Sequence, residues 1–307
     1  MTHVATLISD PARPALDDAA LRVACAALTG AQAPHWLDRA IAADIPFTPD
    51  GADDKATAER VRGALAGAPI DIVVQPVAAR RKRLFVADMD STMIGQECID
   101  ELADYAGLKA HVAAITERAM RGEIAFEPAL RERVALLKDL PVAVVEEVIE
   151  KRITLTPGGR ALVATMRRNG GYTCLVSGGF TLFTSRVAAL IGFDQHRGNT
   201  LVVDGEKFAG RVAEPILGRE AKRATLIELR ERRGLAPHET LAAGDGANDL
   251  AMIEAAGLGV AYHAKPKVAA AAHARIDHGD LTALLYLQGY TRAEFVLPIS
   301  SAPIASA

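Results

Sequence analysis

The run Leu84-Phe85-Val86-Ala87, followed at once by Asp88-Met89-Asp90-Ser91-Thr92, constrains the fold of this chain more than any other stretch. An unbroken apolar run of that length reads as a strand buried on both faces, the kind used by parallel sheets. Two carboxylates then stand at the strand's end, one residue apart, where like charges repel. A divalent cation removes that repulsion. Two such acids can also share a displacement, one attacking while the other moves the proton. Taken alone, the same stretch reads as an exposed acidic turn; the rest of the chain is what overturns that.

From Arg83 onward, apolar runs alternate with amphipathic helical stretches, the pattern of a parallel sheet with helical crossovers. The expected strands after Val86 are Tyr172 to Val176, Thr240 to Ala243 and Leu258 to Tyr262. The first two strands lie much further apart than the roughly 30 residues a crossover unit needs. The intervening sequence is helical: Ile99, Leu102 and Ala106 share a face, as do Leu130, Val134 and Leu137, and Pro141 to Ile149 adds a turn and helix. This predicts a helical cap over about 94–153, beside the end of the first strand. Further helices are expected over Gly158 to Arg168 and Ala221 to Arg233, with a hairpin turning at Asp204-Gly205.

Residues 1–80 read as a small α/β unit: a strand at Val4 to Ile8, helices over Leu16 to Leu28 and Lys55 to Leu65, and a strand at Ile70 to Val74. Trp36-Leu37 and Ala40-Ile41 suggest one more strand, which Pro46 and Pro49 interrupt. Arg80-Arg81-Lys82-Arg83 reads as a solvated linker. The remainder, 81–297, is the body with its inserted cap, and 298–307 a loose tail. With 307 residues, half of them hydrophobic, the chain can bury a large core. A net charge of -3 argues against a nucleic-acid surface. Cys25, Cys98 and Cys174 fit neither a zinc site nor a disulfide framework, and Cys174 reads as core. His3 and His35 read as structural or surface residues. The beginning of the sequence shows no signal-peptide pattern, and no apolar stretch is long enough for a membrane helix, so a soluble, cytoplasmic protein is expected.

Three further clusters follow expected strand ends, where open parallel sheets place ligands. Ser177-Gly178-Gly179 offers a hydroxyl and backbone N–H groups that can approach a phosphate closely; it also reads as a tight strand-to-helix turn. Lys222 opposes the dipole at a helix start, and alone reads as a surface residue. In context it can neutralise a phosphoryl oxygen and a nucleophilic carboxylate. Gly244-Asp245-Gly246-Ala247-Asn248-Asp249 places Asp245 and Asp249 on one face if a helix begins there. Its oxygen ligands suit a hard cation. An Asx-type turn and N-cap is the structural alternative.

These four motifs, in this order, resemble those of the haloacid dehalogenase superfamily of phosphatases, and most closely its phosphoserine phosphatase family. Glu97, Met120-Arg121-Gly122, Phe126 and the run from Leu130 to Leu137 resemble that family's cap. The resemblance covers about 84–288. Met89 departs from it, because the family often has an aromatic there; it is expected to point into packing. The resemblance implies an α/β, Rossmann-like parallel sheet with a helical cap. It also implies hydrolysis of O-phospho-L-serine to serine and phosphate, the last step of serine biosynthesis. Asp88 would be the nucleophile, carrying the phosphoryl group as an aspartyl phosphate, and Asp90 the proton donor and acceptor. Mg²⁺ would be held by Asp88, the Asp90 carbonyl and Asp245, with Asp249 orienting them. Ser177, Gly178, Lys222 and Asn248 would hold phosphoryl oxygens. Glu97 would face the substrate ammonium and Arg133 its carboxylate, under an apolar lid of Met120 and Phe126. From the sequence alone, Glu97 reads equally as a helix cap, and Met120 and Phe126 as core.

The N-terminal unit resembles the small amino-acid-binding (ACT-like) domains of some relatives, which implies an amino-acid effector or a homodimer. Three alternatives stay open. The same chemistry could act on another small phosphomonoester or pass phosphate to another alcohol. The chain could be a non-catalytic amino-acid sensor, which intact Asp88, Asp90, Lys222 and Asp245 oppose. An ATP-driven pump would need membrane spans.

Overall fold

The computed structural model describes residues 2–120 and 123–297. The tail expected over 298–307 lies outside the described residues, and so do Arg121 and Gly122. No helix among the described residues is long and apolar enough to cross a membrane.

The chain opens with β1 (His3–Ser9), α1 (Asp18–Ala26), β2 (His35–Asp38), β3 (Ala42–Phe47), α2 (Asp54–Ala64) and β4 (Ile70–Pro76). The strands pair antiparallel in the order β2-β3-β1-β4, a ferredoxin-like βαββαβ arrangement. Strand alternation sends Ala5, Leu7, Ile45, Phe47, Ile72 and Val74 to one face, where Leu21, Ala24 and Val61 of the two helices cover them. Asp17 and Asp53 cap these helices by accepting from Ala20 N and Ala56 N, both at 2.7 Å; each such cap is worth about 1 kcal/mol. Ile8, Ala42 and Val73 on the opposite face join the core of the following unit.

Two expectations for this region are corrected. The stretch around Trp36 is a hairpin of two strands, and Pro46 lies inside β3 without interrupting it. Pro46 stands opposite Val4 in β1, beyond the part of β3 that pairs with β2, so its missing N–H costs no ladder bond on that side. Of Arg80-Arg81-Lys82-Arg83, only Arg81 and Arg83 are solvated as expected. Arg80 donates to both oxygens of Asp44, at 2.7 and 3.1 Å, and Lys82 is buried with its ammonium on the carbonyls of Ala79 and His238.

β5 (Leu84–Ala87) begins the second sheet. The cap follows as α3 (Cys98–Tyr105), α4 (Lys109–Met120), α5 (Phe126–Ala135) and α6 (Val144–Lys151). Its entry and exit strands meet in an antiparallel bridge, Ile94 with Leu155, supported by Gly95 N donating to Thr154 O. Leu102, Leu130, Val134, Leu137, Val145 and Val148 fill the cap interior and merge with the main core. α7 (Gly159–Arg168), β6 (Tyr172–Phe180), α8 (Thr181–Ile191) and β7 (Gln195–Asn199) follow. The hairpin β8 (Leu201–Asp204) and β9 (Lys207–Val212) turns at Gly205-Glu206, one residue later than expected, because Asp204 pairs with Lys207. α9 (Arg219–Arg232), β10 (Thr240–Gly244), α10 (Leu250–Ala255), β11 (Leu258–Tyr262), α11 (Pro266–Ala271), β12 (Ala274–Ile276) and α12 (Ala283–Leu287) complete the chain.

The second sheet is parallel throughout, in the order β12-β11-β10-β5-β6-β7. Leu84 and Val86 of β5 pack with Leu226, Leu229 and Met252 on one face, and Phe85 and Ala87 with the residues of α7 and α8 on the other. That double coverage explains the uninterrupted apolar run. β5 is the first strand of this sheet, with β6 on one side and β10 on the other. The connections therefore reverse direction at β5, and a crevice opens beyond its carboxyl end.

Candidate active site

Asp88 lies immediately past β5, its N–H still bonded to Ala243 O of β10 at 3.0 Å. One of its carboxylate oxygens is 2.6 Å from the Lys222 ammonium. That ammonium also meets Asp249 at 2.6 Å, and all three residues are buried. The expectation of a surface lysine therefore fails, while its place beside the Asp88 carboxylate is observed. Burial alone would strip the Lys222 proton, but Asp249 and Asp88 overcome this and raise its pKa. Asp88 is itself pushed well above the usual carboxylate range, by burial first and then by Asp249, with Lys222 only partly opposing.

Asp245 joins this group: single ligand oxygens of Asp88, Asp245 and Asp249 all lie within 4.8 Å of one another. Burial and Asp249 push Asp245 up to about 6. One lysine thus faces three crowded carboxylates, so negative charge stays in excess. An all-oxygen, acid-rich set of this kind fits a hard divalent cation. Asp245 and Asp249 do not meet by helical spacing, because α10 starts only at Leu250. A turn brings them together instead, with Asp249 accepting from Gly246 N at 3.0 Å.

Asp90 is supported separately. One carboxylate oxygen accepts from Cys98 N, at the start of the first cap helix, and the other from Ser177 Oγ, both at 2.9 Å. Ser177 Oγ also accepts from Gly179 N at 2.8 Å. Ser177 is not the last residue of its strand; β6 continues to Phe180 after a register shift. Asn248 lies in the turn before α10, its amide oxygen close to Gly246. Met89 is fully buried, as expected.

From the cap, Glu97 accepts from Ser91 Oγ at 2.7 Å and makes no side-chain capping bond, although it occupies the N-cap position of α3. Loss of hydration and the Asp90 carboxylate push Glu97 up to about 7, although part of its surface remains open to solvent. Arg133 projects from α5 with Nε on Ala129 O (3.2 Å) and Nη1 on Thr116 Oγ1 (3.4 Å). Burial depresses its pKa, and Asp100 and Glu97 oppose that. Phe126 is not core: it is 38% exposed, and its ring overhangs two glycines of the body. A Cβ on Gly178 would lie 3.3 Å from the ring, and one on Gly218 3.4 Å. The side chain of Met120 lies outside the described residues.

Several contributors carried no sequence signal. Buried Asn199, at the end of β7, donates to Gly178 O and Leu217 O and accepts from Leu217 N, tying the Ser177 loop to the segment that leads to Lys222. Thr92 Oγ1 donates to Asp245 at 3.2 Å. A cavity of about 370 Å³ lined by Arg83, Tyr172, Gln195, Arg232 and Arg233 lies at the opposite ends of β5, β6 and β7 and contains none of these groups.

The family model for haloacid dehalogenase-like hydrolases matches residues 85–254. A phosphoserine phosphatase of Polaromonas sp. is 48% identical over 210 residues, 67% of this chain and 89% of that protein. One from Archaeoglobus fulgidus is 43% identical over 228 residues, 74% of this chain and 66% of that one. Among solved structures, a haloacid dehalogenase-family hydrolase from Salmonella enterica serovar Typhi superposes with a TM-score of 0.83 at 28% identity, covering 93% of this chain and 98% of its own. A phosphoserine phosphatase solved as a phospho-aspartyl intermediate analogue gives 0.62 at 39% identity, over 67% and 98%. With more than half its length matched by the family model and nearly all of a curated relative spanned, this chain belongs to the haloacid dehalogenase-like hydrolases, in their phosphoserine phosphatase family.

Proposed function

We propose that this protein hydrolyses O-phospho-L-serine to L-serine and phosphate through an aspartyl phosphate on Asp88. The observation that carries this reading is the pairing of two separately supported acids in one crevice: Asp88 against Lys222, and Asp90 between Cys98 N and Ser177 Oγ. In the first step an Asp88 oxygen attacks phosphorus while the bond to the serine oxygen breaks, and Asp90 gives that oxygen its proton. In the second, Asp90 takes a proton from water as the water oxygen attacks phosphorus, and Asp88 leaves as carboxylate. Lys222, Ser177 Oγ, Gly178 N–H and the Asn248 amide hold the phosphoryl oxygens; such fixed donors supply much of the rate enhancement of phosphoryl transfer.

The carboxylates of Asp88 and Asp245 and the Asp90 carbonyl are assigned to Mg²⁺. Asp249 is assigned to orientation, because its two oxygens are already engaged by Lys222 and Gly246 N. When bound, the cation offsets the repulsion between a carboxylate and a phosphate dianion. Glu97 receives the substrate ammonium and Arg133 the carboxylate, with Phe126 and Met120 closing over them.

The same reading divides the chain into an ACT-like unit over 1–80, a catalytic body over 81–297 with its cap at about 94–153, and a tail. It places the protein in the cytoplasm, with an amino-acid effector and a homodimer as functions of the first unit. The deciding experiment is phosphate release from a panel of phosphomonoesters with and without Mg²⁺, combined with rapid-quench labelling. Metal-dependent preference for phosphoserine and label on Asp88 are expected. Label on another residue, or on none, overturns the mechanism.

A further inference from the structure

Asp71 is a buried carboxylate that this chemistry does not use. It lies on β4 of the first sheet, 2% exposed, and its oxygens point away from that sheet into the catalytic body. There they accept from three successive backbone N–H groups: Asp277 at 2.7 Å, His278 at 3.2 Å and Gly279 at 2.7 Å. Consecutive N–H groups turned to one anion form a nest, and here the first unit supplies the anion. A buried carboxylate stripped of such partners is strongly unfavourable, so the loop after β12 is held wherever Asp71 holds it.

That loop reaches the cap. Leu281 N donates to Pro157 O at 3.1 Å. Gly158, with φ at +82°, packs so closely on the loop that a Cβ there would lie 2.5 Å from Thr282 N. Thr156 N donates to Met93 O at 3.0 Å, beside the bridge of Ile94 with Leu155 that closes the cap's two connections. Met93 N and Ile94 N in turn bond to Met89 O, between Asp88 and Asp90. From the Asp71 carboxylate on β4, a series of backbone hydrogen bonds and one close backbone approach thus runs to the hinge of the cap and the nucleophile loop.

We infer that Asp71 is a positioning residue for the cap: through the 277–282 loop it sets the cap's hinge, so the first unit acts as a brace on cap closure. This rests on the cap residues selecting substrate as proposed above. The test compares Asp71→Asn, Asp71→Ala and Gly158→Ala with Gln75→Ala. Gln75 also joins the two units, through Leu287 O at 2.7 Å, but does not touch the loop. Hydrogen exchange of 92–96, 154–158 and 277–282 is measured together with KM and kcat for phosphoserine. Faster exchange in all three segments is expected for the Asp71 and Gly158 variants. Their KM should rise about two- to thirtyfold, the range of coupling seen along packed networks, with kcat changing less. Gln75→Ala should lower thermal stability without either effect. If Asp71→Ala does not fold, Asp71→Asn and Gly158→Ala decide the matter. Unchanged exchange at 154–158 and unchanged KM in those two variants overturn the inference. Faster exchange in an enzyme that ignores phosphoserine would retain the brace and remove the substrate reading instead.

Discussion

Lys222→Met tests the electrostatic design of the site. The substitution keeps most of the side-chain volume and removes the one cation between Asp88 and Asp249. Each contact, at 2.6 Å, corresponds to about 6 kcal/mol of attraction at an effective dielectric of about 20, before the cost of dehydrating the lysine is subtracted. The net loss on removing one partner of a buried ion pair is about 3–5 kcal/mol. Three carboxylates whose oxygens lie within 4.8 Å of one another then lose the buried ammonium that joins two of them, and only the more distant Lys265 still opposes the charge of Asp245. In EDTA, urea unfolding should show that loss as a lower midpoint with an unchanged slope. The deficit should shrink as pH falls: the pKa values of Asp88 and Asp245 are already raised, so these two take up protons first and the repulsion weakens. Phosphatase activity should fall by about 10²–10³-fold, as for other lost charge-stabilising donors. A metal-free variant within 1 kcal/mol of the parent (the approximate threshold is set by the stability effect of ordinary substitutions) would refute the claim that Lys222 balances this cluster.

Glu97, pushed up to about 7, should make phosphoserine recognition pH-dependent. Protonation below that value removes the charge that attracts the ammonium, so the KM for phosphoserine should rise as pH drops, by at most about tenfold per unit. An aryl phosphate without an ammonium should not share this trend, and Glu97→Gln should erase it; a parallel trend for both substrates would exclude the role. Arg133→Ala should raise the phosphoserine KM about 10²-fold, the cost of a charge-assisted pair, and leave aryl phosphate turnover nearly unchanged. Gly178→Ala places a methyl 3.3 Å from the Phe126 ring and should raise KM severalfold. Combining it with Phe126→Ala should give a clearly non-additive double-mutant cycle, and simple additivity would separate the two residues.

The catalytic body was legible where local pattern and burial agree. Leu84 to Ala87 reads as a doubly covered strand, and the acids after it point to a crevice once the motifs after the later strands are set beside them. What escaped was set by partners distant in sequence. Lys222 is legible only in the company of the other motifs: alone it reads as a surface residue, because nothing near it in sequence reveals Asp88 and Asp249. Arg80 and Lys82 looked solvated because Asp44 and the carbonyls that receive them belong to other elements. Pro46 looked like a strand breaker because its tolerance depends on how short β2 is. Asp245 and Asp249 do converge, but through a turn bonded at Gly246 rather than along a helix. Glu97, Phe126 and Arg133 are singled out only by family likeness. Their amphipathic surroundings resemble any charged helix surface; the tertiary arrangement sets Phe126 over Gly178 and Gly218 and Glu97 on Ser91, while Arg133 bonds within the cap, to Ala129 O and Thr116 Oγ1.

The bridge between Ile94 and Leu155 has an evolutionary corollary. The cap leaves the body and returns to it through neighbouring, hydrogen-bonded segments, so whatever is spliced between them closes a loop whose ends already touch. The entropic cost of such a closure grows only logarithmically with length. The parallel sheet keeps its register whether the insert is short, long or of another topology. Selectivity for the leaving alcohol can therefore diversify by exchange of this cassette, provided that its first helix still offers Asp90 the N–H that Cys98 supplies here.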